Sequence, residues 1–463
     1  MDAKHVPPAL AVQPVGRLIL KFAVPAIVSN LISALYNIVD QIFIGQSVGL
    51  LGNAATNVAF PLVTLCLSLS LLLGVGGASN YSLAMGRGDE EEAARYYGGS
   101  ISFLVLFGLA VGVLVLAFLR PLMLLLGATE ASLPYAMAYT GITAFGMPFQ
   151  IFGTAGSHLI RADGSPRYAM VSICTGAVLN IILDPLFIFT FHLGIAGAAY
   201  ATVIGQVSTV LLQALYFWRL KNHPIRLEHL RPRLGQLRAI AGLGSAAFFN
   251  QVAMMIVQIT MNNVLRRYGA LSVYGSDIPL ACVGVITKVN VVMIAFLVGI
   301  AQGCQPIVGF NYGAGQYSRV RAAYRRAISV ALCISCAFFL CFQLLPRQLL
   351  AIFDPDGSEL FFRFGTEYFR IFMGAAFLNA IHPLTSNFFT SIGRAKMGML
   401  ISMTRQILFL LPLIVLLPRI WGVDGVMIAG PVADGVAAAV ALALVLRELK
   451  RIRGLEDRPL RTE

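Results

Sequence analysis

Apolar stretches long enough to cross a bilayer follow one another from residue 17 to residue 447, and they leave this chain few choices of fold. A hydrocarbon core of about 30 Å takes roughly 20 apolar residues per helical span. Backbone groups in that core must satisfy each other, so only helices and closed barrels cross it. Barrel strands alternate polar and apolar residues, whereas these runs are continuous. The fold class read from the sequence is therefore all-α integral membrane, with twelve transmembrane helices. They are placed at 17–45, 53–84, 95–118, 133–158, 168–191, 195–218, 239–266, 279–310, 322–345, 360–390, 397–418 and 424–447. Composition agrees: 12% of the residues are charged, against about 25% in a soluble chain.

A net charge of +13 could suggest a nucleic-acid partner, but its distribution argues otherwise. Sorted by the alternating sides of twelve spans, 25 of the 34 Lys and Arg fall on the side of the two termini, Arg161 among them. By the positive-inside rule that side is cytoplasmic. The basic surface is then a topology signal with some contact to membrane lipids, and no nucleic acid is expected.

The chain is written twice. After span two comes GVGGASNYSLAMGRGDEEEAARYYG, and after span eight comes IAQGCQPIVGFNYGAGQYSRVRAAYRR. At an offset of 227, Gly76 meets Gly303, Gly86 meets Gly313, Gly88 meets Gly315 and Tyr97 meets Tyr324. Farther on Pro185 meets Pro412. Six spans per half is an even number, so the halves are parallel repeats, a plan found in transporters with a site near the repeat interface. The reading is an N-terminal lobe at 1–218, a basic cytoplasmic linker at 219–238 and a C-terminal lobe at 239–463.

Within this apolar chain NIILDPLFIF places Asp184 in the middle of a span, and LYNIVDQIFIG does the same for Asp40. An aspartate at mid-helix costs about 2.5–3.5 kcal/mol on insertion scales, so function is the default reading. Counted from the span ends, Asp40, Asp184, Thr202 and Tyr139 all lie roughly 9–12 Å below the same surface, at 1.5 Å per residue. Asn180 precedes Asp184 by one helical turn, and Tyr36 precedes Asp40 likewise. Two carboxylates, an amide carbonyl and a hydroxyl are hard oxygen donors suited to a hard cation. They suit a shared proton equally well. The second half offers Lys288 and Asp434 at matching depths, read as a structural charge pair that stabilises the C-terminal lobe. No cluster of His and Cys, no DDxxD-type metal site and no Ser–His pair suggests an enzyme.

LYNIVDQIFIG, GVGGASNYSLAMGRGD, NIILDPLFIF with LGIAGAAYATVIGQ, and QGCQPIVGFNYGAGQYSRV together resemble the multidrug and toxic compound extrusion (MATE) transporters, over nearly the whole chain. The QGxQP…NYGA segment is similar to the bacterial MepA-type branch rather than the NorM type. The resemblance implies a bacterial inner-membrane antiporter, without a cofactor and monomeric. It would export small-molecule drugs, cationic or amphipathic, in exchange for Na⁺ or H⁺. It implies a cation or proton site at Asp40, Asn180, Asp184 and Thr202, with Tyr36 and Tyr139 lining the same cavity. The glutamate of the NorM type in span seven is absent, where this chain reads FFNQ with Asn250. In the second half Leu411 and Ile407 stand where Asp184 and Asn180 would be. Coupling is therefore assigned to the first half. The rival reading is a lipid-linked-precursor flippase of the same superfamily. It would require a strongly cationic central cavity, and the lobe-interface candidates read as neutral or acidic.

Overall fold

A computed structural model of the chain describes residues 9–218, 226–275, 277–353 and 357–458. There is no strand among the described residues. Among the described residues, ten helices are long and apolar enough to cross a membrane. We number the twelve spans in chain order. They are α1 Val15–Val48, α2 Leu51–Arg87, α3 Glu90–Ala117, α4 Leu133–Ala162, α5 Pro166–Thr190, α6 Ile195–Trp218, α7 Leu234–Gly269, α8 Asp277–Gly313, α9 Tyr317–Leu344, α10 in two rods, α11 Ala395–Trp421 and α12 Val423–Arg453. The span outside the apolar ten that is a single rod is α4, whose last turns carry Thr154, Ser157, His158 and Arg161.

The expected continuous span at 360–390 is broken. Its rods are Glu359–Phe372 and Ile381–Ser391, separated by a turn at Gly374 and a 3₁₀ stretch at Ala376–Leu378. A break inside a membrane is tolerable when its freed backbone groups find partners. Ser335 of α9 supplies one, its hydroxyl donating to the Ala376 carbonyl at 2.8 Å. The acidic run 89–92 behaves as its composition predicts. Asp89 caps α3 by accepting from the Glu92 N–H at 2.9 Å, and three glutamates occupy the positive end of the helix dipole. The linker assignment at 219–238 falls partly on residues 219–225, outside the described ones. From Arg226 onward the linker forms a short 3₁₀ turn, Leu227–Leu230, docked on α3 through His229 and Glu91, 3.2 Å apart.

The two halves meet along a seam of glycines. A Cβ on Gly76 would strike the Ile240 carbonyl, and one on Gly244 would strike the Leu72 carbonyl. Across the pseudo-twofold, Gly303 lies against the backbone of Phe22 and Ala23. The equivalent glycines Gly86 and Gly313 face each other on the axis itself, a Cβ on Gly313 coming 3.1 Å from the Gly86 Cα. The offset that relates the sequences therefore also relates the contacts. Two amides lock the seam. Asn80 donates to the Ala239 carbonyl at 3.1 Å, and Gln305 donates to the Val75 carbonyl at 3.1 Å and the Ser79 hydroxyl at 2.9 Å. All these residues lie in the half of the bundle that carries the described chain ends, so the lobes are sealed there.

Gly244→Val tests the seam. Its side chain cannot fit against the α2 backbone, so α2 and α7 must separate. Overpacking of this kind costs about 1–3 kcal/mol. The expected result is a lower melting temperature in detergent than for Gly242→Val, whose Cβ position meets nothing within 4 Å.

Candidate functional site

Beyond the seam the lobes part around a central cavity of about 950 Å³. Its wall on α1 runs from Asn30 to Gln41 and on α2 from Thr56 to Val75, reaching within two turns of the far ends of these helices. The C-terminal lobe contributes Ala246 to Met254 of α7, Lys288 to Gln302 of α8, and His382 to Thr390 of α10. Apolar side chains such as Phe60, Val63, Phe149 and Met254 alternate with amides such as Asn37, Gln150, Asn250 and Gln251.

Behind the N-terminal wall the four predicted donors come together. Asp40 on α1 and Asp184 on α5 are 6% and 0% exposed, and their carboxyl groups lie within hydrogen-bonding reach of each other. Asn180 donates to the Asp184 carboxyl at 3.3 Å and to the Thr202 hydroxyl of α6 at 3.4 Å. Asn180 and Thr202 also line the cavity, whereas the two acids do not. One layer of side chains therefore separates the acids from the cavity. Two carboxylates so placed repel unless a proton or a cation joins them. Three buried oxygens of the cluster have no hydrogen-bond partner among the described residues: Asp40 Oδ1, Asp184 Oδ2 and Asn180 Oδ1. A hard cation or a proton fits that donor set. Local sequence places Asp184 where it is. Pro185 supplies no N–H, and from Leu186 to Thr190 the helix widens into a π turn instead of breaking.

The MatE family profile matches residues 25–186 and again residues 246–416, together well over half the chain. This chain belongs to the MatE family. The multidrug export protein MepA of Staphylococcus aureus strain NCTC 8325 is 25% identical over 439 residues, 93% of this chain and 94% of that protein. MepA of Staphylococcus haemolyticus is 24% identical over 434 residues, covering 93% of each. A solved multidrug resistance MATE family transporter of the MOP superfamily, in an outward-facing conformation, superposes with a TM-score of 0.89 at 23% identity. It spans 96% of this chain and 98% of that one. The MatE fold, with twelve spans in two parallel six-helix bundles, is thus shared.

Against that MatE frame, three expectations need correction. Tyr36 lines the cavity, but Tyr139 does not; it is 8% exposed and packs in the lobe core behind the acids. Matching depth alone cannot tell a cavity-facing side chain from one on the buried side of its helix.

Lys288 and Asp434 are not a pair. Asp434 on α12 takes Arg405, Nε to Oδ1 at 2.6 Å. Arg405 lies in the π turn Thr404–Leu410 of α11, which packs directly on α12. Lys288 instead faces the cavity, its ammonium 5.9 Å from the Phe353 ring centre. Matching depth pointed to Lys288, but Arg405, deeper toward the seam on α11, is the cation brought to Asp434.

The interface is also not neutral or acidic. Arg161, counted above as a loop charge, belongs to α4, because the stop signal Asp163–Gly164 follows it. It is 4% exposed and lines the cavity. It reaches across the lobes to the Gln302 carbonyl oxygen at 3.0 Å and holds the Ser157 hydroxyl at 3.1 Å. No Asp or Glu is among the described lining residues.

The Arg405–Asp434 pair gives a stability test. Asp434→Leu strands a largely buried guanidinium and should lower stability by about 3–5 kcal/mol, as breaking buried pairs does in soluble proteins. Adding Arg405→Met should recover much of that loss. Lys288→Met, which breaks no ion pair, should leave the detergent melting temperature near the parent value. Thermal melts of the four chains check all three outcomes.

Proposed function

We propose that this MatE protein is an ion-coupled antiporter that exports amphipathic small molecules by alternating access. Its termini would be cytoplasmic, in a bacterial inner membrane. The lobes at 1–218 and 239–463 would rock against each other about the glycine seam. The observation that carries this reading is the Asp40–Asp184–Asn180–Thr202 cluster, with its unpartnered oxygens one layer behind the cavity wall. It joins three helices of one lobe. A proton or Na⁺ bound there draws α1 toward α5. Because α1 also presents Tyr36, Asn37 and Gln41 to the cavity, the same movement reshapes the substrate wall. Ion and substrate are then linked through one helix, and the linkage is reciprocal. The relatives' names as multidrug exporters support the same reading.

Among its described residues the C-terminal lobe contributes no comparable site. Its buried acids are held by arginines, Asp434 by Arg405 and Glu448 by Arg394, and a satisfied pair has no reason to exchange ions during transport.

Asp40→Asn and Asp184→Asn should each abolish ion-driven flux while the protein still inserts and folds. Proteoliposomes tested with amphipathic dyes of both charges, under Na⁺ and H⁺ gradients imposed separately, check this. Parental ion-driven flux in both variants would remove the cluster from the mechanism. Arg405→Met with Asp434→Leu should retain coupling.

A further inference from the structure

The charge of the central cavity bears on what it carries. Its two formal charges are both positive. Arg161 stands on the floor, and Lys288 stands nearer the mouth on α8. Lys288 precedes Gln302, the residue that Arg161 grips, by fourteen positions on one helix, which is about 21 Å at 1.5 Å per residue. Neither cation has a carboxylate partner within 4 Å among the described residues. Arg161 binds only the neutral oxygens of Gln302 and Ser157, and its buried Nε has no hydrogen-bond partner. Such an arginine keeps donors and charge available in a place where desolvation is otherwise costly. Asp40 and Asp184 stand behind Asn180 and Thr202, so they do not present a carboxylate to a cavity occupant. Amides along the wall add neutral N–H donors, and Phe60, Val63, Leu67, Phe149, Met254 and Val298 add apolar surface.

We propose that the substrate class of this cavity is amphipathic anions, with a carboxylate or phosphate head and an apolar body, not lipophilic cations. This rests on the export reading above and narrows it. Arg161 binds the head through charge-assisted hydrogen bonds. The apolar wall takes the body. Lys288 raises the local anion concentration at the mouth, an effect that salt screens. A lipophilic cation entering the same cavity meets two like charges and no counter-ion.

Carboxyfluorescein and rhodamine 123 test this, since they share a xanthene core and differ in charge. Fluorescence polarisation with the full chain in lipid nanodiscs should show carboxyfluorescein binding at least about tenfold tighter. Arg161→Gln should weaken carboxyfluorescein about tenfold without weakening rhodamine 123. Arg161→Lys, which keeps the charge, should retain most of the affinity and guards against a folding defect. Lys288→Gln should slow carboxyfluorescein association and flatten its dependence on salt. Rhodamine 123 binding as tightly as carboxyfluorescein overturns the proposal, as does an unchanged preference in both glutamine variants.

Flux in proteoliposomes separates this from the export reading. Ion-driven movement of rhodamine 123 but not carboxyfluorescein keeps export and ends the anion assignment. Selective binding of carboxyfluorescein with no ion-driven flux keeps the anion assignment and ends ion-coupled export. Phosphatidylglycerol carrying a labelled headgroup distinguishes the source of the anion. If it competes with carboxyfluorescein and is translocated, the head belongs to a lipid; if it does neither while carboxyfluorescein binds, the ligand is a soluble amphiphile.

Discussion

A charge taken out of water must be neutralised, paired or hydrogen-bonded, and the organisation of this protein follows from how each buried charge meets that demand. Asp163, at the end of α4, is held by two phenols: Tyr81 donates at 2.7 Å and Tyr216 at 2.6 Å. Asp434 is paired with Arg405. Glu448 on α12 accepts from Arg394 and lies 3.5 Å from Arg451. These arrangements tie helices together and leave little to exchange. Asp40 and Asp184 answer differently. Each has the other as its charged neighbour, with Asn180 as the one amide donor, so a proton or cation from outside must complete the set. A buried polar site that is only partly satisfied is costly as structure, and it is useful where occupancy is meant to change.

Among the described residues one lobe has such an acid pair, and the repeat explains why. The backbone is duplicated closely. The seam glycines correspond, Gly88 and Gly315 both adopt positive φ (79° and 72°), and the fifth span of each lobe carries a π turn, at Leu186–Thr190 and, about two turns earlier in the repeat register, at Thr404–Leu410. The side chains at those turns have diverged. In the N-terminal lobe the turn follows an acid that faces another acid. In the C-terminal lobe it carries an arginine that faces an acid. In the proposed function the first lobe would bind and release a cation at little structural cost, while the second is braced by a pair of 2.6 Å. The proposed rocking motion would need a rigid body to move against as much as a lobe that responds.

Much of this was legible in the sequence because periodicity and spacing are one-dimensional. Span length, the doubling and the common depth of Asp40, Asp184 and Thr202 all reduce to counting residues along helices. The residues misplaced were those whose role depends on azimuth or on neighbours in space. Tyr139 lies at the right depth but on the buried side of α4. Lys288 and Asp434 agree in depth, yet the π turn of α11 brings Arg405 to Asp434. Arg161 lies near a helix end, where a basic residue ordinarily marks the cytoplasmic loop. Only its register with Ser157, four residues earlier on the same helix, hinted that it faces inward. The break in α10 has the same origin, since side chains of another helix, Ser335 at the Ala376 carbonyl and Gln343 at the Arg370 carbonyl, help satisfy it.

Under the proposed function, a cationic cavity beside an acid pair also constrains how coupling would work. At about 10 Å and an effective dielectric of about 20, two unit charges interact by roughly 1.7 kcal/mol. Neutralising the acids with a proton or Na⁺ removes repulsion toward an anionic occupant, so through-space electrostatics alone favours binding both together. Exchange of one for the other therefore cannot come from charge competition in the cavity. It has to come from shape, through α1, which carries Asp40 on one side and Tyr36, Asn37 and Gln41 on the other. In the proposed exchange, the displacement of that helix on ion binding would have to disfavour the substrate by more than the electrostatic gain. Pro25, inside α1 and two residues past Ala23, which packs on Gly303 at the seam, gives the helix a point at which it can bend without breaking the closure below it.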